Sequence, residues 1–345
     1  MGVLYRIRFS LSIYDNLCFL GLSYKPKAKD GKNPVSDSIC KPNFFIVGAP
    51  KSGTTSLHYY LSQHPDVHMS KNKEPCFLAP DFNSPFYPQT EEEYLLCFKG
   101  YSGQSRIGES TTSYLYSKKA AHAIHNYAPN AKIIAMLRNP VDLVISLHAQ
   151  RLKEGSETLK RLENALEAEA DRRQGRRIPI GFKYPNEYLL YREYGKYPEQ
   201  LDRYFSVFGR ENVLVIIFDD FKKDVEGEFV KICKFLDIST DFKPDFTIQN
   251  TTQTPRVIIL HRIFKLVTPA LVKIGQRFRS IIPSWFLKLL LQAYCSFREI
   301  NMKTGKSFVC KETRNALASY YKKEIECLEK LLAKDLSSWR LNIKE

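Results

Sequence analysis

Residues 43–57, NFFIVGAPKSGTTSL, constrain this chain more than any other stretch. Phe44 to Val47 are four apolar residues between Pro42 and Gly48, the pattern of a short buried strand. The eight residues from Gly48 to Thr55 are too small, and too interrupted by Gly and Pro, to extend that strand. From Ser56 the chain runs Ser-Leu-His-Tyr-Tyr-Leu, with apolar residues at helical spacing. Strand, small-residue loop and helix together form an anion cradle. Loop N–H groups and the helix N-terminus converge on one spot, and Lys51 adds a positive charge. A purely structural turn draws on the same small residues.

The loop departs from the Walker A pattern of Gly, four residues, Gly, Lys and Ser or Thr. Gly48 and Gly53 have the required separation, but Thr54 occupies the Lys position and Lys51 lies inside the loop. An ATPase uses the Lys after the second Gly on the β/γ-phosphates and the next hydroxyl on Mg²⁺. With the cation moved forward, the loop suits a single 5′-phosphate group and whatever leaves from it.

At 345 residues, 43% hydrophobic and 13% aromatic, the chain has ample length and apolar content for a large core. Its 52 basic against 37 acidic side chains leave a charge of +15, which calls for a polyanionic partner: nucleic acid, anionic membrane, nucleotide or acidic polysaccharide. Eight Cys with no C-x-x-C pair and no metal-ligand spacing read as reduced thiols. Residues 3–22 are apolar, but Arg6, Arg8 and Asp15 interrupt them, so no transmembrane segment or signal peptide is expected, and a cytoplasmic protein is. Arg6 also occupies the Ser/Thr position of a myristoylation motif. Residues 1–41, with a Lys-, Pro- and Ser-rich linker from 25 on, are expected to precede one domain at 42–345.

Along that domain, Pro65 stops the first helix and His64 reads as a helix-end residue. A charged patch at 69–76 meets an apolar one, and 79–89, with three prolines, reads as a loop. Residues 106–110 suit a second strand, with Thr111-Thr112-Ser113 capping a following helix. Residues 131–137 form the clearest later strand, and a helix follows over 141–150, with Asn139 as N-cap and Pro140 at its first position. Arg138 therefore emerges at a strand's carboxyl end, where open α/β sheets bind ligands, and Ser146 lies two turns into the helix. Together they can hold a second phosphate. A strand-end salt bridge and a solvated Ser fit the same spacing.

Residues 152–177 read as a charged helix with Arg172-Arg173 and Arg176-Arg177 on a solvated face. A broken helix over 188–208, a strand over 212–218 and a helix over 226–236 complete an alternating pattern, which argues for a parallel α/β sheet flanked by helices. Residues 257–297 mix apolar and basic side chains, as a helical lid or a membrane-touching face does; Pro269 and Pro283 favour the lid. A basic turn at 303–306 and a last helix over 311–334 follow.

These pieces resemble the sulfotransferases that use 3′-phosphoadenosine 5′-phosphosulfate (PAPS), most closely the carbohydrate branch that includes the heparan sulfate enzymes. The segments that carry the resemblance are GAPKSGTTSL at 48–57, QHPDV at 63–67, KEP at 73–75, LRNPVDLVISLH at 137–148 and DLSSW at 335–339. The resemblance implies a P-loop-like fold, with Lys51, Ser52, Gly53, Thr54 and Thr55 on the 5′-phosphosulfate. It places Arg138 and Ser146 on the 3′-phosphate and calls for no metal. Lys51 would offset charge on the leaving oxygen, and Glu74 of the Lys-Glu segment would take the proton of a sugar or glycan acceptor. By spacing alone Glu74 reads as a surface carboxylate paired with Lys71 or Lys73, and His68 is a second candidate base. Cys76 stands where the family often has His, and Ser110 where the heparan sulfate enzymes have Lys; both bear on the acceptor rather than the nucleotide. Two other readings compete: a Mg²⁺-dependent P-loop kinase, and a non-catalytic binder of nucleic acid or acidic polysaccharide. The missing Lys after Gly53 opposes the first, and no nucleic-acid-binding motif supports the second.

Overall fold

Five short strands form one wholly parallel sheet in the computed structural model, which describes residues 41–247, 253–255, 302–304 and 309–340. β1 (Phe44–Gly48) is central. On one side lie β3 (Arg106–Ser110) and then β2 (Val67–Met69); on the other lie β4 (Lys132–Leu137) and then β5 (Val213–Ile217). The direction of strand addition thus reverses at β1, which creates a crevice at its carboxyl end. Phe45 pairs in register with Glu109 of β3 and Ile133 of β4.

β1 lacks the polar alternation of a half-exposed strand because helices cover both faces. Phe45 and Val47 point to one core with Ile133, Ala135, Val144, Leu147 and Tyr204. Phe44 and Ile46 point to the other with Leu57, Leu61, Met136, Phe229 and Ile232. The helices up to β5 and just beyond are α1 (Thr54–Leu61), α2 (Glu91–Leu95), α3 (Ala120–Tyr127), α4 (Pro140–Glu154), α5 (Leu162–Glu167), α6 (Glu169–Arg173), α7 (Tyr197–Phe208), α8 (Phe218–Lys223) and α9 (Val225–Phe235), of which α1, α4, α7 and α9 carry the helical residues just named. α10 (Lys311–Leu332) buries Leu317, Tyr321, Ile325 and Leu328 against α4 and α7. After it comes a single turn, α11 (Ser337–Arg340). Among the described residues no helix is long and apolar enough to cross a membrane, and Cys76, Cys97, Cys233, Cys310 and Cys327 are free thiols.

Several sequence expectations need correction. The 152–177 stretch is not one helix: Gly155 takes the left-handed conformation and ends α4, and α5 and α6 follow. Arg172 is fully buried rather than solvated, with Nη2 2.8 Å from Glu157 Oε2 and Nη1 donating to the Leu189 carbonyl at 3.2 Å. Thr111, Thr112 and Ser113 cap no helix; α3 begins nine residues after Thr111, and Ser117 accepts from the Lys119 and Ala120 N–H groups there. β2, an edge strand of three residues, was too short to read from hydrophobic pattern. Lys303 and Thr304 belong to a strand, Met302–Thr304, that pairs with Gln253–Pro255. The proposed lid at 257–297 lies outside the described residues.

Glu157 also accepts from the Tyr191 hydroxyl and the Thr158 and Leu159 N–H groups. Removing its cation strands a buried charge. Arg172→Ala is expected to lower unfolding free energy by about 3–5 kcal/mol, and Glu157→Gln combined with Arg172→Met to recover part of that loss, as read by urea denaturation.

Candidate active site

The loop after β1 is turned by two left-handed residues, Lys51 (φ 63°) and Gly53 (φ 87°). A Cβ on Gly53 would stand 2.8 Å from the Phe218 ring, so both the backbone angle and the space require glycine. Gly53 is the N-cap of α1 and offers no capping side chain, so the first N–H groups of the helix face the loop without an internal acceptor. Ser52 and Thr54 are buried beneath the loop, and the Ser52 hydroxyl donates to the Pro50 carbonyl at 3.3 Å. Thr55 Oγ1 accepts from Lys73 Nζ at 2.9 Å.

Across the crevice, Arg138 leaves the end of β4 and its Nη1 donates to the Lys51 carbonyl at 3.1 Å. Its guanidinium also lies 5.4 Å above the Phe218 ring, the same ring that crowds Gly53. The corner is fixed from behind. Tyr197 donates to the Arg138 carbonyl at 2.9 Å, Asn139 Oδ1 caps Val141 N–H, and Asn139 Nδ2 donates to the Trp339 carbonyl. The closing DLSSW segment therefore buttresses the turn that aims Arg138. Ser146 is buried in α4 with its hydroxyl lacking any hydrogen-bond partner among the described residues. Helical rise sets it about 10 Å along the axis from the Asn139 cap.

Burial, the largest influence, pushes the Lys51 ammonium below its ordinary pKa; Arg138 and Arg151 push the same way and the Glu154 carboxylate opposes them. Arg151 and Glu154 pair at 3.1 Å at the end of α4, with the Arg151 guanidinium 4.7 Å from the Tyr188 ring centre.

Glu74 belongs to a strap, 73–76, laid over the end of β3. Its N–H donates to the Ser110 carbonyl at 2.9 Å, and its carboxylate accepts from Thr112 N–H at 2.8 Å and from Thr112 Oγ1 at 3.1 Å. The group is partly buried, not a free surface carboxylate, and Lys73 reaches to Thr55. Burial, the leading cause, raises the Glu74 pKa above the usual carboxylate value, while Lys73, the Thr112 bonds and Arg151 draw it back. Cys76 is buried with its sulfur 3.0 Å from Ser113 Oγ, and burial pushes its thiol up to about 12, leaving it neutral. His68 is committed elsewhere, its Nε2 2.9 Å from the Phe98 carbonyl. His64 lies in the turn just beyond the end of α1, its Nε2 2.9 Å from the Ser239 carbonyl and its Nδ1 accepting from Asp66 N–H.

The arrangement offers backbone donors, cations and a carboxylate of raised proton affinity around one strand-end crevice. Such a site can stabilise an anionic leaving group and remove a proton from an incoming nucleophile. Sequence reasoning missed Lys73, Arg151, Glu154 and Phe218 as neighbours of this site. Only the position of Phe218 at the carboxyl end of the 212–218 run signalled its place. Gly53→Ala is expected to destabilise the fold by more than about 1 kcal/mol in chemical denaturation, since the residue needs φ > 0 and the Phe218 ring blocks a Cβ.

A family model described as a sulfotransferase domain matches residues 41–264. The membrane-associated sulfotransferase kil1 of Dictyostelium discoideum is 37% identical over 129 residues, 35% of this chain and 26% of that protein. Carbohydrate sulfotransferase 15 of Homo sapiens is 25% identical over 249 residues, 58% of this chain and 44% of that one. The chain thus spans less than half the length of these two curated relatives. The crystal structure of a sulfotransferase from Alicyclobacillus acidocaldarius matches with a TM-score of 0.63 at 29% identity, covering 88% of this chain and 100% of that one.

Proposed function

The chain belongs to the sulfotransferase family, and we propose that it moves a sulfuryl group from PAPS to a hydroxyl or amine of a carbohydrate acceptor. The observation that carries this reading is the hydrogen bond from Arg138 to the carbonyl of Lys51, which puts two cations from two strand ends on one rim. A donor with phosphate groups at both ends of its ribose needs such a pair. In this reading Lys51, Ser52, Gly53, Thr54 and Thr55 hold the 5′-phosphosulfate, while Arg138 and the orphaned Ser146 hydroxyl take the 3′-phosphate. The domain carrying these residues would run over 42–345, with 1–41 as an extension.

The acceptor oxygen or nitrogen attacks sulfur in line, forming the new bond as the sulfur–oxygen bond to the 5′-phosphate breaks. Its proton passes to the Glu74 carboxylate, and the electron pair leaves on the phosphate oxygen of 3′-phosphoadenosine 5′-phosphate (PAP), where Lys51 offsets the charge. Placement and fixed charge do most of the work in such a transfer. The sugar or glycan nature of the acceptor is supported by the similarity to carbohydrate sulfotransferase 15.

Labelled PAPS with a panel of sugars, lipids and phenols tests the reading: label should pass to a sugar, and transfer to none of the panel opposes it. Lys51→Ala should cut turnover by about 10²–10³-fold. Glu74→Gln should retain PAP affinity and lose about 10²–10⁴-fold in turnover, and unchanged turnover moves the base elsewhere. Arg138→Ala should weaken PAP binding by about tenfold to a hundredfold, the loss of one or two charge-assisted hydrogen bonds.

The pH profile should be bell-shaped. Glu74 acts ionised, and its pKa is raised, so activity falls on acidification at a higher pH than an exposed glutamate would give. Lys51 acts protonated, and its pKa is lowered in the free protein, so the alkaline fall of kcat/KM comes earlier than for an exposed lysine.

A further inference from the structure

Behind the strap that carries Glu74 lies a second carboxyl group, Glu109, which the transfer mechanism does not use. It is fully buried at the end of β3. The Tyr94 hydroxyl of α2 donates to its Oε2, and Thr111 Oγ1 donates to its Oε1 at 2.6 Å. Because the Thr111 proton is spent on Glu109, a lone pair of the same oxygen faces the other way and accepts from Cys76 N–H at 3.3 Å. Thr111 N–H in turn is bonded to the Ile46 carbonyl of β1, so the hydroxyl hangs from the central strand.

The strap therefore rests on three successive residues. Glu74 N–H meets the Ser110 carbonyl, Cys76 N–H meets Thr111 Oγ1, and the Glu74 carboxylate meets Thr112. It needs such pinning, since Glu74 (φ 59°) and Cys76 (φ 57°) both sit in the left-handed region that non-glycine residues avoid. Without Glu109 as acceptor the Thr111 hydroxyl is free to rotate, and the anchor of Cys76 goes with it.

We infer that Glu109 is a positioning residue for the transfer reaction, the buried partner of Glu74, fixing the strap through Thr111 and setting the charge against which Glu74 works. This inference rests on the proposed role of Glu74. The groups facing Glu109 are Tyr94 from α2, Thr111 and Tyr114 after β3, Glu74 and Cys76 from the strap, Tyr127 from α3 and Tyr204 from α7. Burial is the main reason the Glu109 carboxyl is pushed up to about 7; hydroxyl donors oppose it, and the Glu74 charge adds to it. Coupling of this kind acts in both directions, so the two carboxyls titrate as a pair and the ionised Glu109 raises the proton affinity of Glu74. The upper step of the pair is then lost as pH falls through about 7, and with it the stronger base.

The experiment has two arms. In the first, carboxyl ¹³C titration of glutamate-labelled protein, which needs no turnover, follows Glu109 in the wild type and in Glu74→Gln. Glu109 should titrate at lower pH in Glu74→Gln, and an unmoved titration overturns the pairing even in a protein that transfers nothing. In the second, Glu109→Gln and Thr111→Val should each lower kcat by between about tenfold and a hundredfold with PAP affinity unchanged. Glu109→Gln should also shift the acid limb to lower pH, whereas Thr111→Val, which keeps the Glu109 carboxyl and removes a hydroxyl donor that lowers its pKa, should not shift the limb to lower pH. Wild-type kcat in either folded variant overturns the positioning role. Should Glu109→Gln fail to fold, Thr111→Val decides that role alone. Failure of the sulfotransfer reading shows separately, as absence of transfer by the wild type or full activity in Glu74→Gln.

Discussion

The hydrogen bond from the Arg138 guanidinium to the Lys51 carbonyl joins the exits of β1 and β4, and the crevice depends on it. A parallel sheet sends every outgoing loop to one edge, so the exits of β1, β3 and β4 meet there. β1 delivers the small-residue loop there, β4 delivers Arg138, and β3 delivers the 110–112 seat on which Glu74 lies. The chemistry of the site is thus a consequence of strand direction before it is one of side chains. Tyr197 and the Trp339 carbonyl then hold the β4 exit from outside the sheet, which is why a segment at the far end of the chain belongs to the same constellation.

That convergence is paired with backbone strain. Lys51, Glu74 and Cys76 all carry positive φ without being glycine, each at a cost of about 1–3 kcal/mol that the surroundings must offset. The offsets are visible in each case. The Lys51 carbonyl accepts from Arg138, and the strap is bonded to Ser110, Thr111 and Thr112. Two of the three, Lys51 and Glu74, are proposed for the chemistry, although Arg177, Asp237 and Ala333 outside the site carry positive φ as well; the sheet beneath supports this locally forced arrangement.

What could be read from sequence follows the range of the forces involved. β1, β4, β5 and the Asn139 cap of α4 are set by local pattern and local hydrogen bonding, and they lie within a residue or two of expectation. The pairing of Lys51 with Arg138 was legible because strand ends in an alternating α/β chain have only one edge to share. Arg172 was misread because its partner Glu157 is fifteen residues away across a loop, and a charged run looks solvated until that partner is placed. Thr111 and Thr112 were misread as helix caps for the same reason: their hydroxyls serve residues 35 and 38 positions away. Periodicity carries no trace of either contact.

Burial depresses the proton affinity of Lys51 most, the neighbouring guanidiniums add to it, and the charges at the crevice give the depression a purpose. Lys51, Lys73, Arg138 and Arg151 stand against Glu74 and Glu154, an excess of positive charge confined to a partly buried space. Without an anion the ammonium of Lys51 is opposed by burial and by two guanidiniums, with the Glu154 carboxylate as a counterweight. The proposed donor brings phosphate and sulfate charge into that space. Each added anion favours the protonated lysine, by the same electrostatics that lowers it now. Donor binding and protonation of Lys51 are therefore linked: the cation is held below its ordinary strength until the anion arrives, then restored where the leaving oxygen needs it. By this logic the overall +15 charge guides an anionic donor towards the protein, whereas the local imbalance at the crevice selects for it.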